Sequence, residues 1–404
     1  MGNSLTTERL NKDDDRAQFR AFLGDEETRN VVDQVIRDLV IPHAAVHKGG
    51  IRSCIDFLSE HRSPRILLVD LTQSDLPLSD INELAEVCEP GVTVVAIGDR
   101  NDVGLFRELM NQGISDYLVK PLTPALLQKS LLGTVDGVSR SRQTSRLGRL
   151  VAVLGARGGV GSTMIAANTA YHIAEVRRRR VALIDLDLQF GTVALSLDLE
   201  PSHGFREALE TPSRIDGLYV DRTMVKYSDT LYVLSAEENI DETCHIDEQS
   251  IDLLIQELRS KYHYVLVDLP RNQPSINRKV LEEASNLVLV SDLSLSGMRD
   301  TLRILQQIPS TNAGCNISLA LNRVGEHRVG EIPIAEFEKG VGRKADIIIP
   351  FDPKNVASAT NVGQPVVSRQ SLVTSGIDQL SEVLCGGGSK PKRGIISRLI
   401  GKRA

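Results

Sequence analysis

The residues with the most evident chemistry lie at 150–163, which read LVAVLGARGGVGST. An apolar strand runs into a glycine-rich turn, and an apolar helix from Met164 to Ala174 follows. Gly158, Gly159, Val160 and Gly161 make a loop whose backbone N–H groups can converge on phosphate oxygens. The N-terminal end of the following helix adds positive potential there. Arg157 brings a cation, and Thr163 brings a hydroxyl placed for Mg2+. Two acid-bearing strand ends belong with this loop. VALIDLDL puts Asp185 and Asp187 at the mouth of one buried strand, and YVLVDLP puts Asp268 at the mouth of another. Such an acid can hold Mg2+ directly or through water, whereas a single one often only caps the next helix.

Against the phosphate-loop pattern GxxxxGK[ST] there are two departures. Ala156 holds the first glycine position, and Ser162 holds the position of the lysine that neutralises β- and γ-phosphates. A glycine-rich turn without a ligand is the bland alternative. The loop followed by two strand-end acids, in that order, argues for nucleotide and Mg2+. A second constellation lies earlier. RILLVDL ends a strand on Asp70, DYLVKPL places Lys120-Pro121 after another, and Asp25-Glu26 follow the first.

The elements that must carry these residues alternate strand and helix. Apolar runs at Phe19–Leu23, Ile66–Val69, Val92–Ile97 and Asp116–Val119 read as strands in the first part, with helical patterns at Glu27–Asp38 and Leu105–Gln112. The second part repeats the grammar, with strands at Leu150–Leu154, Val181–Asp185, Leu231–Ser235, Tyr264–Asp268, Asn286–Ser291, Ile317–Asn322 and Asp346–Pro350. This alternation predicts an α/β protein with two doubly wound parallel sheets, whose ligands sit at the C-terminal strand ends. Composition breaks divide the chain into an arm (1–17), a first domain (18–138), a linker (139–148), a second domain (149–385) and a basic amphipathic tail (386–404).

Composition removes several classes. The 404 residues carry 47 basic and 53 acidic side chains, a net charge of −6, which argues against a nucleic-acid coat. Aromatics make up 4% and there is no Trp, which disfavours a base-stacking platform. Hydrophobic content of 41% fits a folded chain. No run reaches the roughly 18–20 apolar residues of a spanning helix. The five cysteines form no CxxC, so neither structural zinc nor a disulfide framework is expected. Arg177–Arg180 reads as a solvated helix end, favoured by the helix dipole, rather than a DNA contact.

RGGVGST resembles the deviant phosphate loop of the MinD/ParA ATPases, which reads KGGxGK[ST]. The resemblance covers about 149–380. It implies a P-loop NTPase-like domain that binds ATP and Mg2+ through Arg157, Gly158, Gly159, Val160, Gly161, Ser162, Thr163 and Met164. Arg157 stands at the signature lysine, which in that family reaches the nucleotide of the partner subunit, so a homodimer is implied. Asp187 matches the acid that positions attacking water, and Asp268, with Thr163, the Mg2+ site. Asn322-Arg323 and Pro350-Phe351-Asp352 resemble the adenine-binding segments. The chain is most similar to the TadZ/CpaE branch: an Arg and a small residue replace both lysines, and the second motif continues as DLDLQFGTVALSLDL.

That branch implies a scaffold for a tight-adherence (Flp-type) pilus, in contact with pilus and secretion assembly proteins including the secretion ATPase. The lysine missing at Ser162 predicts slow or no hydrolysis. The first domain resembles a receiver (flavodoxin-like) with Asp70 as phospho-acceptor, but Gly98 stands where a receiver carries Ser or Thr. A docking module and a phosphorylated regulator both stay open, as does an active ATPase that positions DNA or cargo. On a helix, Ile395, Ile396, Leu399 and Ile400 share a face beside Arg398 and Lys402. This pattern suits an interfacial helix at 394–403 on anionic lipid and resembles the membrane-targeting helix of MinD. The expected location is cytoplasmic, peripheral at the inner membrane face or the cell pole.

Overall fold

The computed structural model describes residues 16–135, 147–242, 244–327 and 329–386. The chain divides into two compact units between Gly148 and Arg149. The amphipathic tail expected at 394–403 lies outside the described residues, as do most of the arm and of the linker.

The first unit holds β1 (Phe19–Leu23), β2 (Ala45–Lys48), β3 (Ile66–Asp70), β4 (Thr93–Gly98) and β5 (Asp116–Val119). They pair in the order β2-β1-β3-β4-β5, all parallel. Successive strand residues point to opposite faces, so a run such as ILLVD must be covered on both. Leu67 and Val69 join Phe22 and Leu84 on one side, while Leu68 joins Phe19, Val95 and Leu127 on the other. β2 was not legible: Ala45-Val-His-Lys has no apolar run and is only partly buried at the sheet edge.

The second unit holds β6 (Arg149–Gly155), β7 (Val181–Asp185), β8 (Val225–Lys226), β9 (Leu231–Leu234), β10 (Tyr264–Leu269), β11 (Asn286–Ser291), β12 (Asn316–Val324) and β13 (Ile347–Pro350). Their order is β13-β12-β11-β6-β10-β7-β9-β8. The expected doubly wound parallel sheet is present, with one antiparallel strand added at its edge. β8 runs antiparallel to β9, because the few residues between them can only reverse the chain, whereas a parallel pair needs a long crossover. β6 lies between β10 and β11, with later strands laid to either side, so a crevice opens at its C-terminal end. Every residue of β10 is buried, which carries Asp268 to the floor of that crevice.

Candidate functional site

The loop after β6 takes its shape from two glycines in the left-handed region. Gly159 has φ +79° and Gly161 φ +87°, angles that L side chains adopt only with strain. Nothing lies within 4 Å of a Cβ built on Gly158 or Gly159, so open space faces their backbone. The helix Ser162–Tyr171 starts from Gly161 and points its N-terminal end into that space. Beneath the loop sits Asn322, which donates its side-chain amide to the Val160 carbonyl at 2.8 Å. A Cβ on Gly161 would lie 2.6 Å from that amide nitrogen. Asn322 reaches the loop where the register of β12 against β13 shifts, between Leu321 and Val324.

An open cavity of about 260 Å³ lies over the loop. Of the expected residues it is lined by Arg157, Gly158, Gly159, Ser162, Thr163, Asp187 and Asp268. The Thr163 hydroxyl donates to Asp268 Oδ2 at 2.6 Å. Asp268 is 5% exposed, and its Oδ1 has no hydrogen-bond partner. Burial, reinforced by the charge of Asp185, pushes the Asp268 carboxyl up to about 8. Asp185 is 1% exposed and burial pushes it up to about 6, although it accepts from the backbone N–H of Val193 and of Asp187, each at 3.1 Å. Asp187 accepts from the Phe190 N–H at 3.1 Å, which closes a turn against Gly191. A Cβ on Gly191 would meet the Asp187 carbonyl at 2.4 Å and Asp185 Oδ2 at 2.5 Å.

Crowded acids whose ionisation burial disfavours, one with an orphaned oxygen beside a hydroxyl, fit a hard divalent cation, whose charge would favour the ionised form. A hydroxyl and one acid are too few oxygens to cage Mg2+, so phosphate oxygens or water must complete the set.

Several residues expected at the site are engaged otherwise or lie outside the cavity. Arg157 turns sideways: its Nη1 donates to Ser296 Oγ at 2.6 Å and to Ser294 Oγ at 3.3 Å, with Asp292 Oδ2 at 3.8 Å. The Val160 side chain is buried in the core and Met164 packs against it, so both serve the loop through backbone. Arg323 and Pro350 do not line the cavity. Arg323 sits at φ +56° with its guanidinium 3.8 Å from Glu326. Sequence reading also stopped short of Arg271 and Asn272, which line the cavity just after Pro270. Their signal was positional, because a turn leaving a central parallel strand faces the ligand crevice.

The first unit gathers its own cluster. Asp70, buried at the end of β3, accepts from Lys120 Nζ at 2.8 Å, from the Thr72 hydroxyl at 2.6 Å and from the Gly24 N–H at 3.0 Å. Lys120 also pairs with Asp25, which caps the helix Glu26–Asp38. Glu26 is exposed in the first turn of that helix. Gly98 is filled in from β5, since a Cβ there would lie 2.3 Å from the Tyr117 hydroxyl, which donates to the Arg100 carbonyl at 3.0 Å.

Burial would push the Asp70 carboxyl up, but hydrogen bonds from Lys120, Thr72 and Gly24 hold it below the usual carboxylate range. Its stabilising contribution is therefore present above the unfolded carboxylate range and disappears as pH falls through the lowered folded value. Lys120→Ala is expected to cost about 3 kcal/mol by leaving a buried charge unpaired, and a second change, Asp70→Asn, to recover most of it. Urea unfolding of the two variants at pH 7 checks this, and equal midpoints for wild type and Lys120→Ala would refute it.

Comparison with known proteins places the second unit. Residues 148–321 match a family model described as an AAA domain. Septum site-determining protein MinD of Synechocystis is 26% identical over 235 residues, 57% of this chain and 86% of its own. The ParA family ATPase of Chlorobium tepidum superposes with a TM-score of 0.53 at 24% identity, over 58% of this chain and 98% of its own. MinD of Pyrococcus horikoshii, solved with Mg-ADP, gives 0.51 at 22%, over 59% and 96%. A pilus assembly protein CpaE from Caulobacter crescentus is 32% identical over 28% of this chain and 88% of its own, but its TM-score of 0.27 does not establish a shared fold. Sequence likeness, fold and loop geometry agree: the second unit is similar to the MinD proteins in sequence and shares the fold of the ParA and MinD structures.

Proposed function

We infer that the second unit binds ATP with Mg2+ over the 155–163 loop, turns it over slowly or not at all, and uses the bound state to hold two subunits together. The observation that carries this reading is Ser162 at the lysine position of an otherwise assembled site, with Thr163 and Asp268 already joined at 2.6 Å. The loop amides bind phosphate oxygens. Thr163 and Asp268 hold the cation, which supplies positive charge to the phosphates. Asp187, on the cavity wall, is the acid available to orient a water.

In this reading the dimer is a localisation scaffold for assembling a tight-adherence (Flp-type) pilus and its secretion machinery, at the inner membrane face or cell pole. Support comes from the loop RGGVGST and the run DLDLQFGTVALSLDL, which resemble the TadZ/CpaE branch. Residues 394–403 would add contact with anionic lipid. Among the described residues no helix is long and apolar enough to cross a membrane. The first unit serves as a receiver-like docking module. Gly98 and the Tyr117 ring beside it support that role over phosphorylation at Asp70.

A second reading is an active ATPase that positions DNA or cargo as ParA and MinD proteins do, favoured by the presence of both Asp187 and Asp268. Nucleotide binding and turnover, measured with Mg2+ for wild type and Ser162→Lys, separate the two. Wild-type binding without turnover, with turnover gained at least tenfold in Ser162→Lys, is the expected result. Robust wild-type turnover would put the second reading first.

A further inference from the structure

We propose that Arg271 is a phosphate-binding residue of this site, whose guanidinium neutralises the terminal phosphates of a bound nucleoside di- or triphosphate and so takes over the charge missing at Ser162. The proposal rests on the nucleotide reading above and identifies where its missing cation comes from.

The ionisable side chains lining the cavity are Asp185, Asp187, Asp268, Arg157 and Arg271. A polyphosphate entering there meets three acids and needs compensating positive charge beyond one divalent ion. Arg157 is already engaged with Ser294, Ser296 and Asp292. Arg271 is exposed, and its side chain makes no hydrogen bond or ion pair among the described residues, although three carboxylates line the same cavity.

The turn that presents Arg271 is held in place. Asn277, itself buried, donates its side-chain amide to the Pro270 carbonyl at 2.6 Å. Pro270 before the turn and Pro274 at the head of the next helix fix two backbone φ angles. A guanidinium on a fixed turn, facing a glycine loop whose own lysine is absent, can grip two phosphate oxygens at once. The tethered backbone lowers the ordering cost of doing so.

The test is calorimetric titration of Mg-ATP and Mg-ADP into the full chain, for wild type, Arg271→Ala, Arg271→Lys and the double variant Ser162→Lys/Arg271→Ala. Charge-assisted hydrogen bonds of this kind predict a 10–100-fold loss of affinity in Arg271→Ala, roughly. Arg271→Lys is expected to lose less. The double variant is expected to regain at least tenfold, because a lysine on the loop restores the same charge from another element. A merely structural role for Arg271 would not be rescued in this way. Arg271→Ala within twofold of wild type overturns the proposal, as does a double variant no tighter than Arg271→Ala. Absence of wild-type binding overturns the nucleotide reading and this proposal with it, which tells the two failures apart. Arg271→Lys keeps the comparison open should Arg271→Ala melt early.

Discussion

Asp268→Asn is expected to raise the melting temperature of the nucleotide-free protein at pH 8 while abolishing its Mg2+-dependent affinity for nucleotide. The carboxyl is buried, its Oδ2 accepts from Thr163 and its Oδ1 accepts from nothing. Burial and the neighbouring Asp185 charge hold it at about 8, well above its value in the unfolded chain. A raised folded value means the group's contribution is intact below the unfolded pKa and is lost progressively as pH climbs towards 8. An amide keeps an acceptor for Thr163 and carries no charge at any pH. The gain at pH 8 is on the order of 2 kcal/mol, about 4–8 °C for a unit of this size, and shrinks at pH 5. Melting curves at both pH values, with and without Mg-ATP, check it. A variant that melts with wild type at pH 8 would remove the claim that this acid waits for a cation.

Gly191→Ala is expected to cost about 3 kcal/mol and to loosen the acid pair at the mouth of β7. The added methyl would stand 2.4 Å from the Asp187 carbonyl, a backbone atom, and 2.5 Å from Asp185 Oδ2, a buried carboxylate oxygen held by the Val193 N–H. Gly158→Ala is the control. Nothing lies within 4 Å of its Cβ, so stability should change by less than about 1 kcal/mol while the methyl intrudes on the phosphate path. Urea unfolding separates the pair, and similar losses in both would show that the turn at 187–191 is not the rigid feature described.

What the sequence made legible depended on the length of the signal. β3, β7 and β10 are apolar runs of five or six residues with an acid at or next to the end, and strands carrying those acids lie where they were expected. The phosphate loop was readable because its glycines answer to backbone geometry, which spacing records. β2 and β8 were not readable, being short, partly exposed edges. Side-chain direction was the harder matter. Arg157 looked like a phosphate ligand by position, yet the serines that receive it lie 137 and 139 residues away, outside any local pattern. Asn322 looked like a ligand contact by resemblance. Its bond to the Val160 carbonyl depends on a register shift in β12 that no motif encodes. Arg271 escaped notice because turn residues after a strand carry no periodicity.

The contact between Gly98 and Tyr117 has a consequence for descent. Placing Thr or Ser at 98 while Tyr117 stays would drive a side chain into its ring, and trimming Tyr117 first would leave a hole beside Gly98. Each single step is unfavourable alone and the two become compatible only together, so the positions are epistatic. A lineage that fills this pocket from β5 is held there by a ratchet. A hydroxyl at the end of β4 can then return only through a coordinated double change.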